Sequence, residues 1–263
     1  MLDLNQIYCG DNLTLIKQLD DSCIDLTVTS PPYDNLRTYN GFTWDFEGLA
    51  KELYRVTKDG GVVVWVVGDA TVNGSETGTS FRQALYFMEC GFRLHDTMIW
   101  KKPICANAGG INVRYWQSFE YMFILSKGKP KTFNPIKDRI NKNGGKIMTG
   151  TIRKPDGTII KNPASGNIIS KFGSRINIWD CDNKKSPTHP APFPEQLIRD
   201  HIITWSNPMD IVLDPFMGSG TTAKMAIETG RKYIGFEISQ EYVDICNARI
   251  KQWKEQDRLT ERF

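Results

Sequence analysis

Along the 263-residue chain, apolar residues gather in seven short runs separated by polar and glycine-rich stretches: QIYC (6–9), IDLTVT (24–29), VVVWVV (62–67), TMIW (97–100), EYMFIL (120–125), DIVL (210–213) and YIGF (233–236). Their β-branched and aromatic content, bordered by Gly, Pro or Asp, predicts β-strands. Between several of them the period lengthens. FEGLAKELYRVTK (46–58) carries apolar residues at helical spacing and runs into Asp59-Gly60-Gly61, which predicts a helix that stops there. SFRQALYFMEC (80–90), FPEQLIRDHIITW (193–205) and TTAKMAIETG (221–230) follow the same spacing. Strands alternating with helices predict an α/β fold with a doubly wound, mostly parallel, seven-stranded sheet.

The alternation breaks between 127 and 188, a stretch rich in Lys, Asn, Gly and Pro. Its best candidate for order is TGTIRKPDGTIIK, where Pro155-Asp156-Gly157 predicts the turn of a hairpin. The chain therefore reads as a first half (1–126), an inserted module (127–188) and a second half (189–263). Charge sharpens this division. The whole chain has a net charge of +3, yet 127–188 holds fourteen Lys or Arg against four Asp and no Glu, so the remainder is acidic. Cationic charge collected in one segment predicts a polyanionic partner; the bland alternative is a solvated basic loop.

No stretch approaches the roughly 18 to 20 consecutive apolar residues of a membrane span, and MLDLNQIYCGDN lacks a basic segment followed by an apolar run. A cytoplasmic location without membrane attachment is the expectation. The cysteines at 9, 23, 90, 105, 181 and 246 form no CxxC pair and stand apart from His95, His189 and His201, so neither a metal cluster nor a disulfide framework is predicted.

Two motifs carry chemistry. DIVLDPFMGSGTTAKMAIETGRKYIGFEIS (210–239) reads as a βαβ unit: Asp214 closes a strand, Gly218-Ser219-Gly220 lets the backbone approach a ligand, and Thr221-Thr222 opens a helix whose free N–H groups favour an anion. The next strand ends at Glu237, nineteen residues past Gly218, where a carboxylate can accept both hydroxyls of a ribose. The pattern points to an adenosine-type cofactor. An acidic residue at 214 suits an ammonium-bearing ligand such as S-adenosylmethionine better than a pyrophosphate; a glycine turn that merely packs helix on sheet is the alternative.

The second motif is Ser30-Pro31-Pro32-Tyr33, at the end of IDLTVT. Two prolines supply no N–H and stop the strand. In an open α/β sheet that corner lies where ligands bind. It presents acceptors, namely the Ser30 hydroxyl and the carbonyls of Ser30 and Pro31, and these match an amino group on a planar ring. Hydrogen bonds that draw both N–H hydrogens out of plane concentrate the nitrogen lone pair on the opposite side, toward a methyl donor. Tyr33 offers a face on which a flipped base can stack. A proline-rich turn without chemistry is the alternative.

Taken together, these residues resemble the amino-group DNA methyltransferases that act on cytosine N4 or adenine N6, and the resemblance covers nearly the whole chain. Ser30-Pro31-Pro32-Tyr33 looks like the family's catalytic tetrapeptide, and Asp214 to Thr222 is similar to its cofactor motif. Tyr8-Cys9-Gly10-Asp11 resembles the segment whose acidic residue reaches the cofactor's adenine, and His189-Pro190-Ala191-Pro192-Phe193-Pro194 the segment that leads the cofactor half. The order, tetrapeptide first and glycine loop last, looks like the β group, whose target-recognition region falls between the halves.

The resemblance implies a Rossmann-like methyltransferase fold and S-adenosylmethionine as cofactor. The implied cofactor contacts are Asp11, Ser30, His189, Asp214, Pro215, Phe216, Gly218, Ser219, Gly220, Thr221, Thr222 and Glu237; the implied catalytic residues are Ser30, Pro31, Pro32 and Tyr33. Double-stranded DNA is the implied partner. Relatives of this group often pair as homodimers, and the sequence leaves open both pairing and a cognate restriction endonuclease.

The chain has no Pro-Cys dipeptide, which argues against ring-carbon methylation. Serine at the head of the tetrapeptide is more typical of cytosine-N4 enzymes and Asp of adenine-N6 enzymes, so N4 is favoured and N6 is the alternative. An RNA or protein amino-methyltransferase, a nicotinamide-dependent oxidoreductase and a silent DNA-binding module are more distant readings. Residues 34–39 read as a loop over the flipped base or a plain surface loop, and Arg114, Tyr115 and Trp116 as phosphate or base contacts or as core.

Overall fold

The computed structural model describes residues 2–32, 44–102, 114–115, 117–181 and 193–260. One sheet contains β1 (Gln6–Cys9), β2 (Ile24–Thr29), β3 (Thr57–Val67), β4 (Arg93–Lys101), β5 (Phe119–Ser126), β6 (Ile178–Asp180), β7 (Ile211–Asp214) and β8 (Lys232–Glu237). Their spatial order is β1-β8-β7-β2-β3-β5-β4-β6. β5 is antiparallel to both of its neighbours, and every other pairing is parallel. The helices are α1 (Asn12–Ile16), α2 (Phe46–Val56), α3 (Thr79–Glu89), α4 (Glu195–Trp205), α5 (Thr221–Glu228) and α6 (Gln240–Thr260).

This is the doubly wound α/β fold expected from the sequence, with eight strands where seven apolar runs were read. The eighth, β6, comes from the basic segment. Only Trp179 is buried in it, and it pairs in parallel with β4 through Ile178 opposite Ile99. The Trp100 indole N–H donates to the Cys181 carbonyl at 3.0 Å, fixing the strand at the sheet edge.

A second difference lies after α2. Asp59-Gly60-Gly61 does not stop a helix at residue 58; α2 already ends at Val56, where Thr57 Oγ1 turns back to the Leu53 carbonyl at 2.6 Å. The three residues belong to β3, where Ile24 faces Thr57 but Leu26 faces Val62, so β3 bulges there. Gly60 supplies the left-handed φ of +81° that the bulge requires, and its N–H donates to the Lys127 carbonyl at 2.6 Å.

Val62 to Val67 are all buried, the pattern of a strand covered on both faces. Val63, Trp65 and Val67 pack with Leu49, Leu53 and Phe87 of α2 and α3 in one apolar cluster. α4 contacts β2 and β3, and α5 packs on β7 and β8. α6 buries Val243, Cys246 and Ile250 along one face.

Pro135–Ile176 forms a compact unit of its own, a two-stranded arm. Ile140 pairs with Phe172, Ile147 with Ile168 and Ile152 with Ile160, so one antiparallel ladder narrows toward the expected Pro155-Asp156-Gly157 turn. Asp156 Oδ1 accepts from the Thr158 amide at 2.9 Å and closes that turn. Among the described residues no helix is long and apolar enough to cross a membrane.

Candidate active site

β2 and β7 are parallel neighbours, with Leu26 beside Val212 and Thr27 beside Leu213. From β2 the chain goes on to β3 on one side, and from β7 to β8 on the other. The sheet changes winding direction between them, and a crevice opens at such a point beyond the strand ends. Both sequence motifs arrive there: Thr29 leads into Ser30-Pro31-Pro32, and Asp214 leads into the glycine loop. Ser30 and Pro32 are half-buried and Pro31 is buried. Tyr33, the 34–39 loop, Trp116 and His189 to Pro192 lie outside the described residues.

Asp214 joins the two motifs. Its Oδ1 accepts from the Thr29 hydroxyl at 2.7 Å and from the Phe216 amide at 3.0 Å, and its Oδ2 accepts from the Thr222 hydroxyl at 2.6 Å. The side chain is 3% exposed. Burial pushes its pKa up to about 6; the three hydrogen bonds oppose that shift and the nearby Glu237 charge adds to it. Both oxygens thus have protein donors, and Thr222, also buried, is turned toward Asp214. Phe216 is held from its other side by Trp44, whose ring lies 4.9 Å away edge to face.

Glu237 ends β8 half-buried. Its Oε2 accepts from the Gly218 amide at 2.8 Å and its Oε1 from the Ser239 amide at 3.0 Å. Each oxygen keeps a further lone pair for a ligand hydroxyl. β1 lies alongside, with Cys9 facing Glu237, and this brings Asp11 to the same edge. Asp11 caps α1 by accepting from the Thr14 amide at 2.8 Å. The next residue, Asn12, is 7% exposed and donates to the Pro215 carbonyl at 3.4 Å. Its Oδ1 is buried with no hydrogen-bond partner among the described residues. An orphaned acceptor beside the loop matches a ligand rich in N–H and O–H donors, and the residues present fit an amino-acid-bearing nucleoside.

α6 completes the cradle, and no pattern read from the sequence pointed to it. The Cys246 thiol donates to the Gly218 carbonyl at 2.9 Å, and Arg249 donates to the Ser219 carbonyl. Carbonyls drawn toward α6 leave the first turn of α5, which has no side-chain cap, as the donor face. Desolvation pushes the Cys246 thiol up to about 12, so it acts as a donor and not as a nucleophile. Cys246 and Arg249 stand three apart on one helix face, the only sequence signal that would have found them. Thr29 had a weaker one, a polar residue in an apolar strand. Arg114 donates to Thr71 Oγ1 at 3.1 Å and to the Gly74 carbonyl at 2.5 Å, and Tyr115 is fully exposed.

A family model described as DNA methylase, of the N6/N4 type, matches residues 24–248. The chain is 58% identical over 247 residues to the orphan methyltransferase M.BamHII of Bacillus amyloliquefaciens, covering 90% of this chain and 92% of that protein. It is 29% identical to the DNA adenine methyltransferase YhdJ of Escherichia coli K12, across 93% and 82% of the two chains. The fold is similar to that of the PvuII cytosine-N4-specific DNA methyltransferase, with a TM-score of 0.68 and 24% identity over 92% of this chain and 84% of that one. It is also similar to TTHA0409 of Thermus thermophilus, solved with S-adenosyl-L-methionine, with a TM-score of 0.64 and 22% identity over 94% and 93%. With the two motifs meeting at one winding switch and the family match running across both, the chain belongs to the N6/N4 DNA methylase family and is a DNA methyltransferase.

Proposed function

We propose that this chain transfers a methyl group from S-adenosylmethionine to the exocyclic amino group of a base flipped out of duplex DNA, with cytosine N4 as the favoured target. The observation that carries this reading is that the Ser30-Pro31-Pro32 corner and the Gly218-Ser219-Gly220 loop follow the ends of two adjacent parallel strands. S-adenosylmethionine, when bound, supplies an electrophilic methyl on sulfonium. Glu237 is proposed to accept its ribose hydroxyls, Asp11 and the Asn12 amide oxygen to accept its amino hydrogens, and the α5 first turn to receive its carboxylate. The Ser30 hydroxyl and the carbonyls of Ser30 and Pro31 are proposed to accept from the substrate amino group, which makes its nitrogen nucleophilic.

Serine at the head of the tetrapeptide, more typical of cytosine-N4 enzymes, favours cytosine; a neutral hydroxyl can suffice for that base, whereas the carboxylate usual in adenine-N6 enzymes accepts more strongly and could serve either. Adenine N6 is the second reading, supported by the relationship to a DNA adenine methyltransferase. The DNA contact is proposed to be the arm at Pro135–Ile176. It carries nine Lys or Arg against two Asp, and none of its side chains is buried. A two-stranded ribbon of this kind fits the major groove. Unmethylated DNA incubated with labelled S-adenosylmethionine and digested to nucleosides tests the assignment by mass spectrometry. N4-methylcytosine is expected, N6-methyladenine would establish the second reading, and loss of label in Ser30→Ala would tie the product to the corner.

A further inference from the structure

Thr29 lies inside the sheet at 0% exposure. A buried hydroxyl needs a partner to offset its desolvation, and this one bonds a carboxylate at 2.7 Å across to the next strand. Thr27, on the same strand and equally buried, has no partner for its hydroxyl among the described residues, so the bond at Thr29 does not simply follow from a threonine in this sheet. Asp214 in turn forms no ion pair among the described residues; two threonine hydroxyls and one amide are its donors. A buried carboxylate without a cation is costly, and burial pushes its pKa upward.

What the arrangement gives in return is a fixed geometry. Thr29 immediately precedes Ser30, Phe216 belongs to the turn before the glycine loop, and Thr222 lies in the first turn of α5. The carboxylate therefore ties the strand that carries the tetrapeptide to both ends of the loop that would hold the methyl donor. The ladder between β2 and β7 pairs Leu26 with Val212 and Thr27 with Leu213, and past those pairs the Thr29 hydroxyl links the two strands through Asp214.

We propose that Thr29 is a positioning residue for methyl transfer: its hydroxyl, through Asp214, sets the spacing between Ser30 and the cofactor loop. This rests on the methyltransferase reading above. Misplacement of reacting groups by about 1 Å costs on the order of 100-fold in rate, and only the step that needs both groups is exposed to it.

Thr29→Val keeps the shape and removes the hydroxyl. The expected result is a single-turnover methylation rate lower by about 10- to 100-fold, with S-adenosylmethionine and DNA dissociation constants within about twofold of wild type and a retained unfolding midpoint. Thr29→Ser, which keeps the hydroxyl, is expected to recover most of the rate, and Asp214→Asn combined with Thr29→Val to be no slower than Asp214→Asn alone. A Thr29→Val rate within twofold of wild type overturns the proposal. So does a Thr29→Ser rate as low as that of Thr29→Val, a comparison that stands even if the valine variant folds poorly. Absence of transfer by the wild-type chain would instead overturn the methyltransferase reading, and this proposal with it.

Discussion

Gly220 separates two explanations of the glycine loop, approach to a ligand and approach to the protein itself. Its φ is +83°, in the left-handed region, where an alanine is disfavoured by about 1–2 kcal/mol. A Cβ built on it would meet Cys246 Sγ at 2.9 Å and Cys246 Cβ at 3.2 Å, and relieving that overlap costs about 1–3 kcal/mol more. Gly220→Ala is thus expected to destabilise the chain by about 2–5 kcal/mol, against a total stability of about 5–15 kcal/mol for proteins in general. Urea unfolding of the full chain, followed by fluorescence, measures it. Combining it with Cys246→Ala removes the nearer atom and leaves the backbone cost, so the double variant should be less destabilised than the sum of the two singles. Strict additivity, or a Gly220→Ala cost below about 1 kcal/mol with cofactor affinity abolished instead, would refute the packing argument and return the glycine to ligand approach.

Three further outcomes are expected. Glu237→Gln keeps an acceptor for the Gly218 amide but loses the charge offered to ribose hydroxyls, so S-adenosylmethionine affinity measured by calorimetry should fall about 10- to 100-fold, the equivalent of about 1.5–3 kcal/mol; an unchanged constant rejects the ribose assignment. Asp214, with a pKa raised from 3.8 to about 6, binds its proton more tightly when folded, so its ionised form costs about 3 kcal/mol above pH 6 and nothing below about pH 4. The stability of Asp214→Asn relative to wild type should therefore improve by up to about that amount between pH 4 and pH 7, and urea midpoints that keep a constant difference across the window would show the carboxylate is not perturbed. Lys146→Ala, Lys154→Ala and Lys161→Ala together should lower the slope of log affinity for DNA against log salt by up to about 0.9 for each phosphate the arm no longer neutralises; a wild-type slope would move the DNA off the arm.

The long apolar runs were legible because burial on both faces leaves an unmistakable signature, as in Val62 to Val67. The glycine loop and the Ser-Pro-Pro corner were legible because backbone constraint dictates residue type. What escaped was set by partners distant in sequence. β6 has one buried residue, Trp179, and becomes a strand only because β4 lies beside it. Asp59-Gly60-Gly61 carries the composition of a helix stop, but the pairing of β3 with β2 and the amide bond to Lys127 make it a bulge. The role read for Asp214, an acid facing an ammonium, followed from its type and spacing alone. Its neighbours Thr29 and Thr222 are 185 and 8 residues away, and no local pattern announces these two hydrogen bonds, which leave Oδ2 a further lone pair for the ligand that reading gives it.

The contrast between the two units has a physical logic. Transfer of a methyl group requires reacting atoms held at a fixed separation, and the residues proposed for it sit where β2 and β7 are linked by the buried Thr29–Asp214 hydrogen bond. Recognition of a duplex instead needs a surface that gains order from its partner. The arm has no buried side chain, and Ile140, Ile147 and Ile168 are 76%, 63% and 73% exposed along its cross-strand pairs. An isolated two-stranded ribbon is marginal in water, so apolar pairs left open beside nine cations are best completed by a groove that is anionic at its rim and offers thymine methyls among its polar base edges. Under that reading, changes in the arm alter which DNA is bound and how strongly, while changes at Thr29, Asp214 or Thr222 alter how fast the bound base reacts; a swap of the Ile147–Ile168 pair for threonines should shift sequence preference and leave the single-turnover rate on a saturating preferred site unchanged.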